Sequence, residues 1–243
     1  MLVHGFSATA AEMQPLGDAL GAAGHAVHGV ELPGHGTRPA DLEQVGRAEW
    51  LAAVLSAVDA MAQPGRRVAV VGMSMGALLA LRAAVERPDA VGALVLCGPA
   101  LALRNPLVAL VPWIARVPGV RRRWPLVPRG GVRGISDPAA RAASPTYDGV
   151  PWRAVAELLA LKRAGWSALP RVRQPTLVLH GRLDRSVPLR VIGHVRRRIG
   201  TPWLEAHVLD RSWHVVTMDV ERMRVAALVC DFLRRLEAAD APA

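Results

Sequence analysis

The chain has 243 residues, 51% of them hydrophobic, and carries a formal net charge of +10. That length suits one large α/β domain with a substantial core, or two small domains. No apolar run nears the ~20 residues of a membrane-spanning helix, and no basic, apolar and small-residue succession marks a secretory leader, so cytoplasm is the default expectation.

In chain order, short runs rich in Val and Leu alternate with segments of helical period. Strands are predicted at 1–4, 26–32, 67–73 and 91–97, with helices at 10–23, 47–62 and 75–87 between and after them. The alternation resumes with a strand at 175–180, a helix at 188–199, a strand at 203–209 and a helix at 216–238. In the last helix Val225, Leu228, Val229, Phe232, Leu233 and Leu236 form one stripe. Continuous apolar strands separated by helices predict an α/β fold: a mostly parallel, doubly wound sheet covered on both faces. Cys97 and Cys230 lie inside apolar segments and read as buried small hydrophobes, neither a disulfide nor a metal site.

Residues 99–173 break the alternation. They are proline-rich, hold Trp113, Trp124, Trp152 and Trp166, and predict one helix near 150–164. Residues 101–173 contain thirteen Lys/Arg against three Asp/Glu, so this stretch carries the whole positive excess. The expected organisation is a sheet-and-helix core at 1–98 and 174–243 with a cap or lid inserted at 99–173. Every cation but Lys162 is an arginine, so the excess reflects arginine usage more than a nucleic-acid surface. No helix-turn-helix, zinc-ligand or RNA-binding aromatic signature accompanies it.

"VVGMSMGALLAL", residues 70–81, places Ser74 between Gly72 and Gly76 where a strand hands over to a helix. G-x-S-x-G in that context is the pattern of a nucleophile elbow. The turn is so sharp that only small residues fit two positions either side of the serine. A serine hydroxyl is a weak nucleophile and needs a base and an orienting acid, expected in the order Ser, Asp, His after later strands. "TLVLHGRLD" places Asp184 after one such strand, and "AHVLDRSWH" places His214 after the next. Asp210 is a rival acid, but it lies only four residues from His214. The remaining strand-associated histidines (His4, His28, His180, His207) and His194 on an arginine-rich helical face suit structural roles better. Oxyanion donors are expected from the amide of Met75, after the serine, and from Phe6 in the loop of "LVHGFSAT". No metal and no organic cofactor is required by this chemistry.

The set "LVHGF", "PGHG", "GMSMGA", "HGRLDRSVP" and "SWHVVTMD" resembles the α/β-hydrolase superfamily, and within it bacterial monoacylglycerol lipases and thermostable carboxylesterases. The resemblance spans nearly the full length and is weakest in the cap. It implies Ser74 as nucleophile, Asp184 and His214 as partners, Phe6 and Met75 as the oxyanion hole, and a small-molecule acyl ester as substrate. It departs from the family's pattern in two places. Three residues precede the His-Gly pair where members carry twenty or more, so the first strand is expected to be short. "RAASPTYD" places Ala143 where monoacylglycerol lipases carry a glutamate before a Thr-Pro pair.

Leu107, Leu110, Val111, Trp113 and Ile114 either line an acyl-chain pocket or pack the cap onto the sheet, with Trp213 beside His214 as a further substrate contact. Arg121, Arg122, Arg123 and Trp124 either dock the cap on anionic lipid or form a solvated turn. Serine-dependent C–C hydrolases and perhydrolases share the elbow, as does a non-catalytic ligand-binding hydrolase fold. Dehalogenases and epoxide hydrolases place aspartate there and do not fit.

Overall fold

A computed structural model describes residues 1–128, 134–144, 147 and 149–240. The main sheet contains β1 (Leu2–Val3), β2 (Gly29–Val30), β3 (Val68–Met73) and β4 (Val91–Cys97). Two short strands, β5 (Leu126–Pro128) and β6 (Gly149–Pro151), pair antiparallel on their own. β7 (Thr176–Gly181) and β8 (Leu204–Leu209) complete the main sheet, whose order is β2-β1-β3-β4-β7-β8 with every pairing parallel.

The helices, in chain order, are α1 (Gln14–Ala22), α2 (Pro39–Gln44), α3 (Arg47–Met61), α4 (Met75–Glu86), α5 (Val111–Ile114), α6 (Val120–Arg123), α7 (Pro138–Ala143), α8 (Trp152–Ala168), α9 (Val191–Arg198) and α10 (Arg222–Asp240). Both faces of the sheet are covered. On one, Trp50, Val54 and Val58 of α3 and Leu78, Leu79 and Leu81 of α4 pack on Val70, Leu94, Leu96 and Val178. On the other, Leu16 and Leu20 of α1 and Val225, Val229 and Phe232 of α10 pack on Val71, Val95 and Leu177. Parallel strands buried on both sides carry apolar residues at successive positions, as β4 and β7 do.

Three predicted elements are shorter than their apolar patterns. The strand expected at 26–32 is reduced to Gly29–Val30, because its one neighbour, β1, offers only Leu2 and Val3 for pairing. The helix expected from residue 10 opens with a 3-10 turn at Ala10–Met13, where Thr9 accepts from the Ala11 amide, before α1 begins. The helix expected from residue 216 begins at Arg222; residues 216–221 form turns and a bend instead, and the Val220 amide donates to the Asp219 carboxylate.

The segment 99–173 divides its contacts. Ala154, Leu158 and Leu161 of α8 join the main core against α4, while Val155 and Leu159 face a separate small cluster with Val111, Val150 and Trp152. Tyr147 holds the segment to the loop after β2, accepting from the Thr37 amide at 3.1 Å and donating to the Gly34 carbonyl at 3.3 Å. Arg121 pairs with Glu43 of α2. Among the described residues no helix is long and apolar enough to cross a membrane.

Candidate active site

The turn from β3 to α4 is built by exclusion of side chains. A Cβ at Gly72 would lie 2.3 Å from the carbonyl carbon of Gly76, which no rearrangement of a flexible side chain could relieve. Freed of that bulk, the chain reverses at Ser74 with φ 54° and ψ −105°, outside the regions ordinary L-residues occupy. The strain is held from both sides: the Ser74 amide donates to the Cys97 carbonyl at 2.8 Å, and the Ser74 carbonyl accepts from Ala100 at 3.2 Å.

That turn presents the hydroxyl at the carboxyl end of the sheet, where the loops after β7 and β8 meet it. His214 Nε2 lies 2.8 Å from Ser74 Oγ, and Nδ1 lies 2.7 Å from Asp184 Oδ2. A carboxylate only accepts, so Nδ1 donates and Nε2 is left to accept from the serine. The second Asp184 oxygen accepts from the Ser186 and Val187 amides at 2.7 and 2.8 Å. Burial acts to raise the Asp184 carboxyl, but the His214 ring and these hydrogen bonds outweigh it and hold the carboxyl below its ordinary value. Asp210, the rival acid, is turned away at the surface, paired with Arg182.

Of the two expected oxyanion donors, Met75 follows the serine directly, and the residue before Phe6 lies beside it. Met75 is the first residue of α4, so its amide has no partner within the helix. In the other loop a Cβ at Gly5 would stand 3.4 Å from Ser74 Cβ, and Ser7 takes the left-handed conformation with φ 56°. The Phe6 ring packs edge-on against His35 and Trp50, with both centroid distances 6.1 Å.

The predicted substrate residues are placed differently. Leu107, Leu110, Trp113 and Ile114 are all exposed, Trp113 to 67%. Neither an enclosed acyl pocket nor packing onto the sheet describes them; Val111 alone turns inward, into the small cluster. Trp213 is half-buried and carries two guanidinium groups over its ring, Arg185 at 4.3 Å and Arg141 at 5.3 Å from the centroid. Of the proposed lipid-facing residues, Arg123 lies over the Trp124 ring, whereas Arg121 is committed to Glu43. Ala143 ends α7; the Pro145-Thr146 pair that follows lies outside the described residues. Among the described residues no group of His, Cys, Asp or Glu is arranged to hold a metal ion.

Several supporting residues carry no local sequence signal. Buried Glu12 accepts from the Gly5 amide, and its own carbonyl accepts from Thr217 at 2.7 Å. His180 is fully buried with Nε2 3.2 Å from the Val187 carbonyl and 3.3 Å from Asp184 Oδ2; burial lowers its basicity and keeps it a neutral donor. Asp219 is also fully buried. Only the position of these residues behind the loops of the site gives them meaning.

A parallel sheet with helices on both faces, closed at its carboxyl end around a strand-to-helix elbow, is the α/β-hydrolase fold. Comparison with known proteins narrows the class: residues 1–221 match the family described as serine aminopeptidase, S33, and the chain belongs to this family of α/β-hydrolases. It is similar to a thermostable monoacylglycerol lipase of Bacillus sp. (strain H-257), with 27% identity covering 97% of this chain and 90% of that protein. A carboxylesterase of Bacillus subtilis (strain 168) is 22% identical, over 98% of this chain and 92% of the other. Among solved structures, one described with LipS and LipT, two metagenome-derived lipolytic enzymes, superposes with a TM-score of 0.86 at 25% identity, over 96% of this chain and 92% of that one. The monoacylglycerol lipase of Paleococcus ferrophilus shares the fold with a TM-score of 0.80 at 20% identity, over 97% and 93% of the two chains.

Proposed function

We propose that this chain is a carboxylic ester hydrolase that acts through an acyl-enzyme on Ser74. The observation that carries the reading is the unbroken relay from Ser74 Oγ through His214 to Asp184, at 2.8 and 2.7 Å. His214 Nε2 takes the hydroxyl proton as Oγ bonds to the ester carbonyl carbon. Asp184 holds the imidazole tautomer and stabilises its charged form. The oxyanion is met by the amides of Phe6 and Met75, aided by the N-terminal end of α4. The C–O bond then breaks, and the alcohol leaves with the proton from His214. Water repeats the sequence on the acyl group, returning the proton to Ser74 and releasing the acid.

Residues 99–173 act as the cap over this chemistry. With Ala143 in place of a glutamate, the reading assigns acyl esters as the substrate class and no glycerol contact at that position. The test is a chain-length series of p-nitrophenyl esters beside a monoacylglycerol, with and without a serine-directed phosphonate. Turnover abolished by the phosphonate and reduced by about 10⁴-fold or more in Ser74→Ala, with the fold intact, is expected. Inactivity across the whole series would favour a ligand-binding role or C–C bond cleavage.

A second element of the reading concerns where the substrate is met. Leu107, Leu110, Trp113, Ile114, Val117 and Trp124 form an exposed apolar group on one stretch of the cap, interspersed with Arg116, Arg122 and Arg123. Apolar side chains among exposed guanidinium groups suit the interface of an anionic lipid surface.

A further inference from the structure

We propose that Asp219 is a positioning residue that locks the inserted segment 99–173 to the histidine loop, so that seating of the insertion sets the alignment of His214. This rests on the ester-hydrolase reading above.

The Asp219 carboxylate is fully buried, and among the described residues it forms no ion pair. Among the described residues, its oxygens accept from donors in three parts of the chain. Oδ1 accepts from the Ser136 amide at 2.9 Å, the Ser136 hydroxyl, the Asp137 amide at 3.0 Å and the Val220 amide at 2.9 Å. Oδ2 accepts from the Trp213 amide at 2.6 Å. Three of these donors belong to the insertion, and one belongs to the residue immediately before His214.

The residue after His214 is tied to the insertion as well. The Val215 amide donates to the Gly134 carbonyl at 2.8 Å, and a side chain at 134 would stand only 3.2 Å from His214 Cβ. The imidazole therefore projects from a backbone held on one side by Gly134 and on the other, through Asp219, by Ser136 and Asp137. Outside this bond network the Trp213 indole carries Arg141 from the insertion and Arg185 from the acid loop, and Arg141 itself donates to the Ile135 and Ser136 carbonyls. The buried carboxylate joins insertion to histidine loop, and the Trp213 indole adds the acid loop through Arg185.

The chemistry makes that junction consequential. His214 must accept a proton at Ser74 and deliver it to the leaving group, and displacements near 1 Å can cost about 10²-fold in rate. An asparagine at 219 presents one carbonyl and one NH2. Whichever way it turns, either the Trp213 amide or the amides of Ser136 and Asp137 face a donor instead of an acceptor. The tie between insertion and histidine is thereby broken at one end with almost no change in volume.

The test compares Asp219→Asn and Ser136→Ala with the parent enzyme. Three quantities are read: kcat and KM on p-nitrophenyl butyrate, the thermal midpoint, and the low-field proton resonance of the His214 Nδ1–H, recorded without substrate. Among the described residues, charged and titratable groups around the loop are Asp184, His180, Arg104, Arg141, Arg185, Asp137, Arg222, Glu221 and Glu12, all retained in both variants. Asp219→Asn is expected to lower kcat by roughly 10-fold or more, a size typical of groups that orient a site from behind. KM should change less than about 2-fold, and the His214 Nδ1–H resonance should shift and broaden, since the backbone that carries the ring is no longer held in place. Ser136→Ala removes one donor from the insertion side and should shift both readouts in the same direction by a smaller amount. Parent-like kcat and resonance in both variants, with only the thermal midpoint reduced, would overturn the proposal in favour of a purely structural anchor. Should Asp219→Asn not fold, Ser136→Ala decides by the same two readouts. The resonance needs no substrate, so an absence of ester turnover in the parent would count against the ester reading alone.

Discussion

The Cβ of an alanine at position 76 would fall 2.2 Å from the carbonyl oxygen of Val3. This contact joins the helix after the elbow to β1, and it is backbone against side chain with no flexible end to yield. Gly72 is blocked in the same way by the Gly76 carbonyl. Gly76→Ala and Gly72→Ala are each expected to destabilise the protein by more than about 3 kcal/mol, the scale of severe overpacking. Urea unfolding of either variant with a midpoint equal to the parent's would show that the elbow is not closed by these contacts.

Asp184→Asn tests the tautomer. The asparagine NH2 would meet His214 Nδ1 as a donor, Nδ1 would become the acceptor, and Nε2 would carry its proton toward Ser74. A loss of about 10³- to 10⁴-fold in kcat is expected, with the thermal midpoint little changed. Phosphonate labelling of Ser74 should slow in parallel, and labelling at the parental rate would contradict the assigned role.

Stability should fall as the pH is lowered from about 6.5 toward 4. His4 and His35 are buried side by side, ring centroids 5.1 Å apart, and burial lowers each from 6.5 to about 4. In that window the unfolded chain binds protons that the folded one refuses, so unfolding free energy rises with pH and is fully present above 6.5. The loss per ring is on the order of 1 to 3 kcal/mol. Urea titrations at pH 7 and pH 4.5 check it, and His35→Asn should flatten the dependence. Equal midpoints at both pH values would refute it.

Cys97 should be chemically silent in the folded protein. Burial pushes its thiol up to about 12, so almost no thiolate exists at neutral pH. Iodoacetamide at pH 8 is expected to leave Cys97 unmodified until denaturant is added, as peptide mapping by mass spectrometry would show. Rapid native alkylation there would mean that the β4 end opens.

The exposed face of the cap predicts binding to anionic vesicles. Trp113→Ser combined with Trp124→Ser should weaken co-sedimentation with phosphatidylglycerol-containing vesicles by about 10-fold or more. Turnover of a soluble short-chain ester should be unaffected. Binding that ignores both substitutions, salt and lipid charge would sink the idea.

Much of this molecule can be read along the chain. Parallel strands buried on both faces must be apolar at successive positions, so 67–73, 91–97 and 175–180 announce themselves. The stripe of α10 follows from helical period, with Val225, Val229 and Phe232 fully buried. Ser74 is legible because its turn excludes side chains at fixed spacing, a local requirement that leaves a local mark. The convergence of Asp184 and His214 on Ser74 is legible because strand order dictates which loops reach the same end of the sheet.

What the chain alone did not disclose lies in relationships between distant segments. The short apolar run at 107–114 looks the same whether it lines a pocket or faces water, and only the placement of Val111 against Val150 and Trp152 turned its other side chains outward. Helical period extended the last helix back to residue 216; the fold instead turns the chain there and seats Asp219, three of whose donors lie more than eighty residues away at Ser136 and Asp137. A strand or helix is decided by spacing between neighbours. The support of a buried carboxylate is decided by whichever donors the packed fold brings to it, and composition alone records no such meeting.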